Sequence, residues 1–281
     1  MTFEIVHTTT YEYSSPVFFE PHYFRLIPKV TAHAVVHDFS MSISPSPTGY
    51  SDQNDTENNA IRLCWFDGMH QQMKVEVSSI VEVADYNPFD FLIHPSEYLQ
   101  VPFKYDDYTH KLLQANLEAK ALPVNLLSFV QAILKETEGK TVDFLLALTQ
   151  RIHREFVVET RETGEPLEPA ITFESRRGSC RDLACMQINM LRHLGIATRF
   201  VSGYFYIDVE QPTFELHAWV EVFLPGAGWV GFDPSHGLLT GASHIPLASS
   251  AFPQHTMPVS GTVRGDARSS LSHNLIIKKR P

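Results

Sequence analysis

The sequence predicts an α+β fold, in which a β-sandwich domain over residues 1–97 precedes a domain of helices and strands over residues 98–281. Three observations carry this prediction. Apolar and polar residues alternate in short runs of the first part, apolar residues recur at spacings of three and four in the middle, and strand-like runs return near the end. A length of 281 residues suits one large domain or two smaller ones.

The first part of the chain reads as a series of short strands separated by turns that contain proline and glycine, such as Pro45–Gly49. Several strands at this spacing are typical of a β-sandwich. The stretch Asp85–Glu97 breaks the alternation and marks the predicted end of this domain. The predicted strands are Thr2–Tyr13, Ala34–Ile43, Ala60–Phe66 and Met73–Val83.

The middle of the chain reads as helical. Thr141 is the predicted N-cap of the second helix, and a polar loop containing Gly164 and Pro166 follows that helix. The apolar faces of the two helices comprise Leu126, Val130, Ile133 and Leu134, and then Leu145, Leu148, Ile152 and Phe156.

A well-marked helix begins at Cys180 and ends before Gly195, a residue suited to a left-handed C-terminal cap. Its apolar stripe comprises Leu183, Met186, Met190 and Leu194. Further strands follow, and Pro225–Gly228 forms a hairpin signal between two of them. The predicted strands are Ala197–Ile207, Phe214–Leu224, Trp229–Asp233 and a final strand, Leu271–Ile277.

Composition argues against several classes of function. The net charge of −10, without a long basic run, argues against binding to nucleic acid or to an anionic membrane surface. Every apolar run is too short to span a membrane, and the N-terminus lacks the pattern of a secretion signal. Three cysteines cannot form a disulfide framework. We therefore expect a cytoplasmic protein without a cofactor.

Cys180 lies where a loop turns into a helix. The first amides of the helix and its dipole stabilise a thiolate at that position. Asp182, in the same turn, opposes a thiolate. The alternative is a buried cysteine without a chemical role, which is common for free cysteines.

A reactive thiol needs a base, and His217 on the strand Phe214–Leu224 is a candidate. If the hairpin turns about Pro225, His217 faces Asp233, which can then accept a hydrogen bond from one imidazole nitrogen. The other nitrogen is left for Cys180. These residues then serve as nucleophile, base and orienting carboxylate.

A metal site is a second interpretation of the same residues. Cys180, His217 and either Asp233 or His236 are all possible zinc ligands. A cysteine at a helix start beside a strand-borne histidine and aspartate is, however, the arrangement of a nucleophile.

The segment GSCRDLACMQINMLRHLGIATRFVSGYFY, followed by HAWVEV and GWVGFDP, resembles the bacterial transglutaminase-like cysteine enzymes. YEYSSPVFFEPHYFRLIP and DYNPFDF resemble the N-terminal β domain of such proteins. The resemblance implies a papain-like core with helices packed on an antiparallel sheet. It also implies Cys180, His217 and Asp233 as the catalytic residues. His236 stands where this family more often has asparagine.

The expected function is thiol chemistry at an amide carbonyl through an acyl-enzyme, with hydrolysis of a peptide or isopeptide-like bond as the favoured outcome. Transfer of the acyl group to an amine and a non-catalytic peptide-binding module are the alternatives. The expected partner is a peptide or protein substrate, and the sequence leaves the oligomeric state open.

Overall fold

The fold is mixed, with helices and antiparallel sheets, as the alternation of patterns along the chain predicts. The structure is a computed structural model, and it describes residues 1–161, 164–209, 214 and 216–280. Residue 215, inside the predicted strand Phe214–Leu224, lies outside the described residues.

The strands and helices are numbered in chain order. The strands are β1 (Thr2–Phe19), β2 (His22–Phe24), β3 (Ala34–Ser44), β4 (Gly49–Asn54), β5 (Ala60–Trp65), β6 (Met69–Val83), β7 (Val157–Val158), β8 (Arg177–Gly178), β9 (Thr198–Phe205), β10 (Leu216–Leu224), β11 (Gly228–Asp233), β12 (Leu238–Leu239), β13 (His244–Ser250), β14 (Val259–Ser260), β15 (Val263–Arg264) and β16 (Ser269–Arg280). The α-helices are α1 (Asp107–Leu112), α2 (Val124–Glu136), α3 (Thr141–Glu155), α4 (Pro169–Ser175) and α5 (Cys180–His193). Short 3₁₀ helices cover Ser96–Leu99, Gln114–Leu117 and Pro253–Thr256.

The N-terminal part forms two antiparallel sheets. One has the strand order β15-β1-β6-β3, with β16 also paired to β1, and the other has the order β14-β2-β5-β4. Strand β1 alternates buried and half-buried residues because one of its faces covers an apolar cluster that includes Phe3 and Ile5. The predicted strands of this part are confirmed, whereas their arrangement as a sandwich stays a prediction.

The last strand of the chain lies in the first sheet. β16 pairs antiparallel with β1 from Thr2↔Arg280 to Tyr13↔Ser269, so it is longer than the predicted strand Leu271–Ile277. The apolar cluster beneath this sheet also takes in Tyr204, Ile245 and Leu247 from β9 and β13. The predicted boundary between residues 97 and 98 stays a prediction. After β13 the chain returns to the two N-terminal sheets, to which β14, β15 and β16 belong.

The second part is built on an antiparallel sheet with the order β12-β11-β10-β9-β13. Helix α5 packs on this sheet, and the buried faces of α2 and α3 complete its apolar core. The predicted stripe of α5 is confirmed, since Leu183, Met186 and Met190 are fully buried. A helix buried on so wide a face holds its first residue in a fixed position.

Two local predictions are wrong. Thr141 is the first residue of α3 and not its N-cap, because its hydroxyl donates to the Tyr98 carbonyl at 2.7 Å and the cap position is Lys140. The segment between α3 and Cys180 is not only a loop, since it contains α4 with Pro169 at its first position. Proline is well suited to a helix start, and the seven residues of α4 are too few for the spacing of apolar residues to reveal it.

Candidate active site

Cys180 begins helix α5, as predicted. Ser179 is the N-cap, with an extended backbone at φ −73° and ψ 168°. Cys180 is half-buried, whereas Cys64 and Cys185 are buried. Its thiol therefore combines a helix N-terminus with access from solvent.

Asp182 stabilises the start of α5. Its carboxylate accepts hydrogen bonds from the backbone N–H and the hydroxyl of Ser179, both at 2.7 Å, from the Leu167 N–H at 2.7 Å, and from Arg161 at 2.6 Å. Burial opposes the ionised carboxylate, but these donors outweigh burial and lower the pKa of Asp182. The sequence indicated Asp182 as an anion opposed to a thiolate. In the structure, hydrogen-bond donors from Ser179 and from the preceding loop stabilise the negative charge of Asp182.

His217 lies on the central strand β10, between β9 and β11. The predicted hairpin register is wrong by two residues, since Val220 pairs with Phe232 and Leu224 with Gly228. The continuation of this register sets Asp233 beside Trp219 and diagonal to His217. A shift of two residues leaves each side chain on its original face, so the contact between His217 and Asp233 survives.

The carboxylate of Asp233 is fully buried and collects five hydrogen bonds. Its Oδ2 accepts from His217 Nε2 at 2.8 Å, from His236 Nδ1 at 2.8 Å and from His244 Nε2 at 3.1 Å. Its Oδ1 accepts from the backbone N–H groups of Ser235 at 2.9 Å and His236 at 3.3 Å. The carboxylate therefore fixes three imidazole rings and the turn that follows β11.

The charges of His217 and Asp233 are coupled. Burial disfavours the imidazolium of His217, but the Asp233 anion, its hydrogen bond and the side chain of Cys180 outweigh burial and raise the pKa of His217 to about 10. Burial likewise disfavours the Asp233 carboxylate, and its three histidine partners lower its pKa well below the usual value. Because Nε2 of His217 is bound to Asp233, Nδ1 is the nitrogen that remains for Cys180. The structure thus brings together the three residues that the sequence singled out.

His244 was missed in the sequence. It is buried, and the Gly241 N–H donates to its Nδ1 at 3.3 Å, which leaves Nε2 to donate to Asp233. The ring of Phe205 lies against all three imidazoles, with centroid distances of 5.4 Å to His217, 4.3 Å to His236 and 4.5 Å to His244. No spacing rule could find His244, because β13 reaches the site from the far side of β9.

Burial sets the other two thiols apart from Cys180. It raises the pKa of Cys64 to about 11 and that of Cys185 to about 12. Both residues belong to the apolar clusters. At neutral pH these two thiols are therefore protonated, and both are buried.

A cleft of about 570 Å³ opens over Cys180 and His217. The N-terminal sheet forms part of its wall, and this contribution was not foreseen from the sequence. The residues from β1 and β16 that line it are His7, Thr9, Tyr11, Leu271 and His273. Side chains of both charge signs line the rest, among them Arg181 and Glu168.

One cluster has the composition of a metal site. Within the part of the chain that the structure describes, the ligand atoms of His217, Asp233 and His236 lie within 4.8 Å of one another. The metal site considered from the sequence included Cys180, which is not a member of this cluster.

No helix among the described residues combines the length and the apolarity needed to cross a membrane.

Two families match separate stretches of the chain. Residues 3–82 match the bacterial transglutaminase-like N-terminal region, and residues 128–234 match the transglutaminase-like superfamily. The second stretch contains Cys180, His217 and Asp233.

Relatives cover the chain to different extents. A protein-glutamine gamma-glutamyltransferase of Pseudomonas aeruginosa is 30% identical over 115 residues, which are 37% of this chain and 17% of that protein. An uncharacterized protein of Mycobacterium leprae is 23% identical over 274 residues, 95% of either chain. The crystal structure of a proposed cysteine protease from Cytophaga hutchinsonii superimposes with a TM-score of 0.73 at 19% identity, covering 100% of this chain and 92% of that one.

Proposed function

We propose that this chain, whose residues 128–234 belong to the transglutaminase-like superfamily, is a thiol-dependent enzyme that acts on amide carbonyl groups. One observation carries the proposal. His217 is hydrogen-bonded to Asp233 through Nε2, the side chain of Cys180 at a helix N-terminus acts with Asp233 to raise the pKa of His217, and Cys180 and His217 both line the cleft. The three residues have the relationship of nucleophile, base and orienting carboxylate.

The first half of the reaction forms the acyl-enzyme. The Cys180 sulfur attacks the amide carbonyl carbon after its proton has passed to Nδ1 of His217. The backbone N–H of Cys180 is one donor to the oxyanion that develops. The carbon–nitrogen bond then breaks, and His217 returns its proton to the leaving amine. Asp233 stabilises the imidazolium and orients the ring throughout.

The second half decides between hydrolysis and transfer. Water attacks the thioester while His217 takes its proton, and Cys180 leaves as the free thiol. We favour hydrolysis because the half-buried Cys180 opens directly to a cleft that solvent can enter. Transfer to an amine is the second candidate, and the similarity to the Pseudomonas aeruginosa gamma-glutamyltransferase supports it.

The substrate in this proposal is a peptide or protein. We infer that the N-terminal sheets, arranged as the predicted β-sandwich, form the wall against which an extended peptide lies, since β1 and β16 line the cleft. We also propose that the protein is cytoplasmic and that the reaction needs no cofactor.

Trapping the acyl-enzyme tests the proposal. The native protein is incubated with a peptide library, quenched in acid and analysed by mass spectrometry, with and without a primary amine such as cadaverine. We expect an adduct on the peptide that contains Cys180, absent from Cys180→Ala. Carboxylate products in the presence of cadaverine indicate hydrolysis, whereas cadaverine conjugates indicate transfer.

The matched control is Cys185→Ala, which retains the adduct on Cys180. Thermal unfolding of Cys180→Ala should resemble that of the wild type, because the half-buried side chain leaves little cavity. Peptide binding without an adduct in the wild type would instead support the non-catalytic module.

A further inference from the structure

We infer that His217, Asp233 and His236 form a binding site for a transition-metal ion of the zinc type, and that an ion bound there inhibits the proposed thiol chemistry. The ligand atoms are Nε2 of His217, a carboxylate oxygen of Asp233 and Nδ1 of His236. The inhibitory consequence rests on the proposed function, whereas the binding site does not.

The spacing of these atoms suits a shared ion. Zinc binds imidazole nitrogen and carboxylate oxygen at about 2.0–2.2 Å, so two ligands of a tetrahedral ion stand about 3.3–3.5 Å apart. In the structure each of the two nitrogens lies 2.8 Å from Asp233 Oδ2, and all three ligand atoms lie within 4.8 Å. Small movements of His217 and His236 therefore open the required space.

The chemistry of the cluster also favours a cation. Three imidazole N–H groups converge on one carboxylate oxygen, which has about two lone pairs to offer. In a metal complex, the ion would replace the proton on His217 Nε2 and the proton on His236 Nδ1. Both nitrogens would then be ligands of the ion, and His244 would be the one imidazole that still donates to this carboxylate oxygen.

The outer contacts are those of a preformed metal site. His244 Nε2 donates to Oδ2 of Asp233 at 3.1 Å and so orients the carboxylate, and Phe205 packs on the rings of His217 and His236. The His153 ring binds the Ser235 carbonyl at 2.8 Å and so anchors the turn that carries His236. Such contacts orient ligands and increase affinity.

An ion can reach the site from solvent, and one of its coordination positions stays free of protein ligands. The side chain of His236 is 33% exposed, whereas those of His217 and Asp233 are 9% and 0% exposed. Three protein ligands leave one tetrahedral position for water.

Metal binding at Nε2 prevents His217 from acting as a base. The neutral ring then carries its one proton on Nδ1, which faces Cys180. It cannot take a further proton from the water that attacks the thioester, so release of the acyl group stops.

Cobalt(II) binding to the Cys180→Ala protein tests the site without reference to activity. We expect the visible d–d absorption of four-coordinate cobalt, without a thiolate-to-cobalt band. His236→Asn in the same background should weaken binding by at least about tenfold, the lower limit for loss of an outer-shell partner. His236→Gln serves as a second variant if the first fails to fold, and His193→Asn is the control on an exposed histidine.

Unchanged cobalt affinity after substitution of His236 would overturn the site. So would cobalt binding that requires Cys180, because the ion would then sit on the thiol. In the active protein, zinc should slow hydrolysis of the thioester, and His236→Asn should raise the inhibitory zinc concentration by the factor seen with cobalt. Cobalt binding in a protein without amide-cleaving activity would retain the site and reject the proposed function.

Discussion

At the scale of single residues, the site depends on how burial changes the pKa values of its cysteines and histidines. Among the three cysteines, burial raises the pKa of Cys64 and Cys185, while Cys180 stays accessible at a helix start. Among the histidines of the cluster, burial lowers the pKa of His244, although its bond to Asp233 acts in the opposite direction. For His217, the Asp233 anion and the Cys180 side chain outweigh burial and raise the pKa to about 10.

Alkylation at neutral pH should label Cys180 ahead of Cys64 and Cys185. The reason is that the thiolate reacts, and the two buried thiols have pKa values of about 11 and 12. Iodoacetamide labelling of the native protein with peptide mapping measures the order. First labelling of either buried cysteine would remove Cys180 as the nucleophile.

Asp233→Asn should reduce activity by about 10- to 1000-fold, less than the ~10⁴ of a serine triad because a thiol needs less help from its base. An amide carries no charge to stabilise the imidazolium, so the pKa of His217 should fall from about 10. Activity on a model amide and an NMR titration of His217 test both effects. Asp266→Asn, on an exposed residue, is the control, and an unchanged titration would reduce the site to a Cys-His pair.

The same pair should make stability depend on pH. The pKa of His217 is raised from 6.5 to about 10 on folding, so its contribution is complete below pH 6.5 and is lost as pH rises through 10. The pKa of Asp233 is lowered from 3.8, so its contribution is lost as pH falls below that value. Urea unfolding of wild type and Asp233→Asn should therefore differ most between pH 4 and pH 6.5. A difference independent of pH would contradict the ion pair.

At the scale of elements, the central strands position the catalytic histidine by close packing. Gly203 on β9 pairs with His217 on β10. A Cβ at Gly203 would lie 2.3 Å from the Ile245 carbonyl oxygen and 2.6 Å from the Trp219 ring. Strands β9, β10 and β13 therefore meet at a point where no side chain fits.

Gly203→Ala should lower the free energy of unfolding by about 1–3 kcal/mol or more, because backbone on β13 cannot yield cheaply. It should also reduce activity by displacing His217. Thermal unfolding and amide turnover measure the two effects. Gly241→Ala is the matched control, since a Cβ there meets no atom within 4 Å. Equal stability of the two variants would contradict this account of the packing.

Elements with a long pattern were predictable from the sequence, and junctions between elements were not. The stripe of α5 fixed Cys180 at its start, and the alternation on β10 fixed the face of His217. The hairpin register was wrong by two residues because the turn is centred on Gly226, not Pro225. His244 reaches Asp233 only through the order of strands in the sheet, which a local pattern does not contain.

At the scale of the whole molecule, the two parts share structure. The apolar cluster under the N-terminal sheet includes Tyr204 and Ile245 of the second part, and the cleft has walls from both. We therefore expect the molecule to unfold as one unit.

Ile277→Ala should lower the free energy of unfolding by about 2–5 kcal/mol, since Ile277 is 4% exposed within that cluster. Its neighbour Ile276 is 42% exposed on the other face, so Ile276→Ala is the control with little effect. Labelling rates of Cys64 and Cys185 report the two parts separately. Acceleration of both by a similar factor supports cooperative unfolding, whereas acceleration of Cys64 alone would show two independent units.

The pairing of β1 with both β6 and β16 has a consequence for synthesis on the ribosome. Residues 2–13 emerge well before residues 269–280, the strand that pairs with their second edge. Until then the nascent chain carries a long sheet edge with unpaired N–H and C=O groups, which can pair with a neighbouring chain. Translation that stops short of residue 269 therefore yields a product with an open edge, and such a product is prone to aggregation.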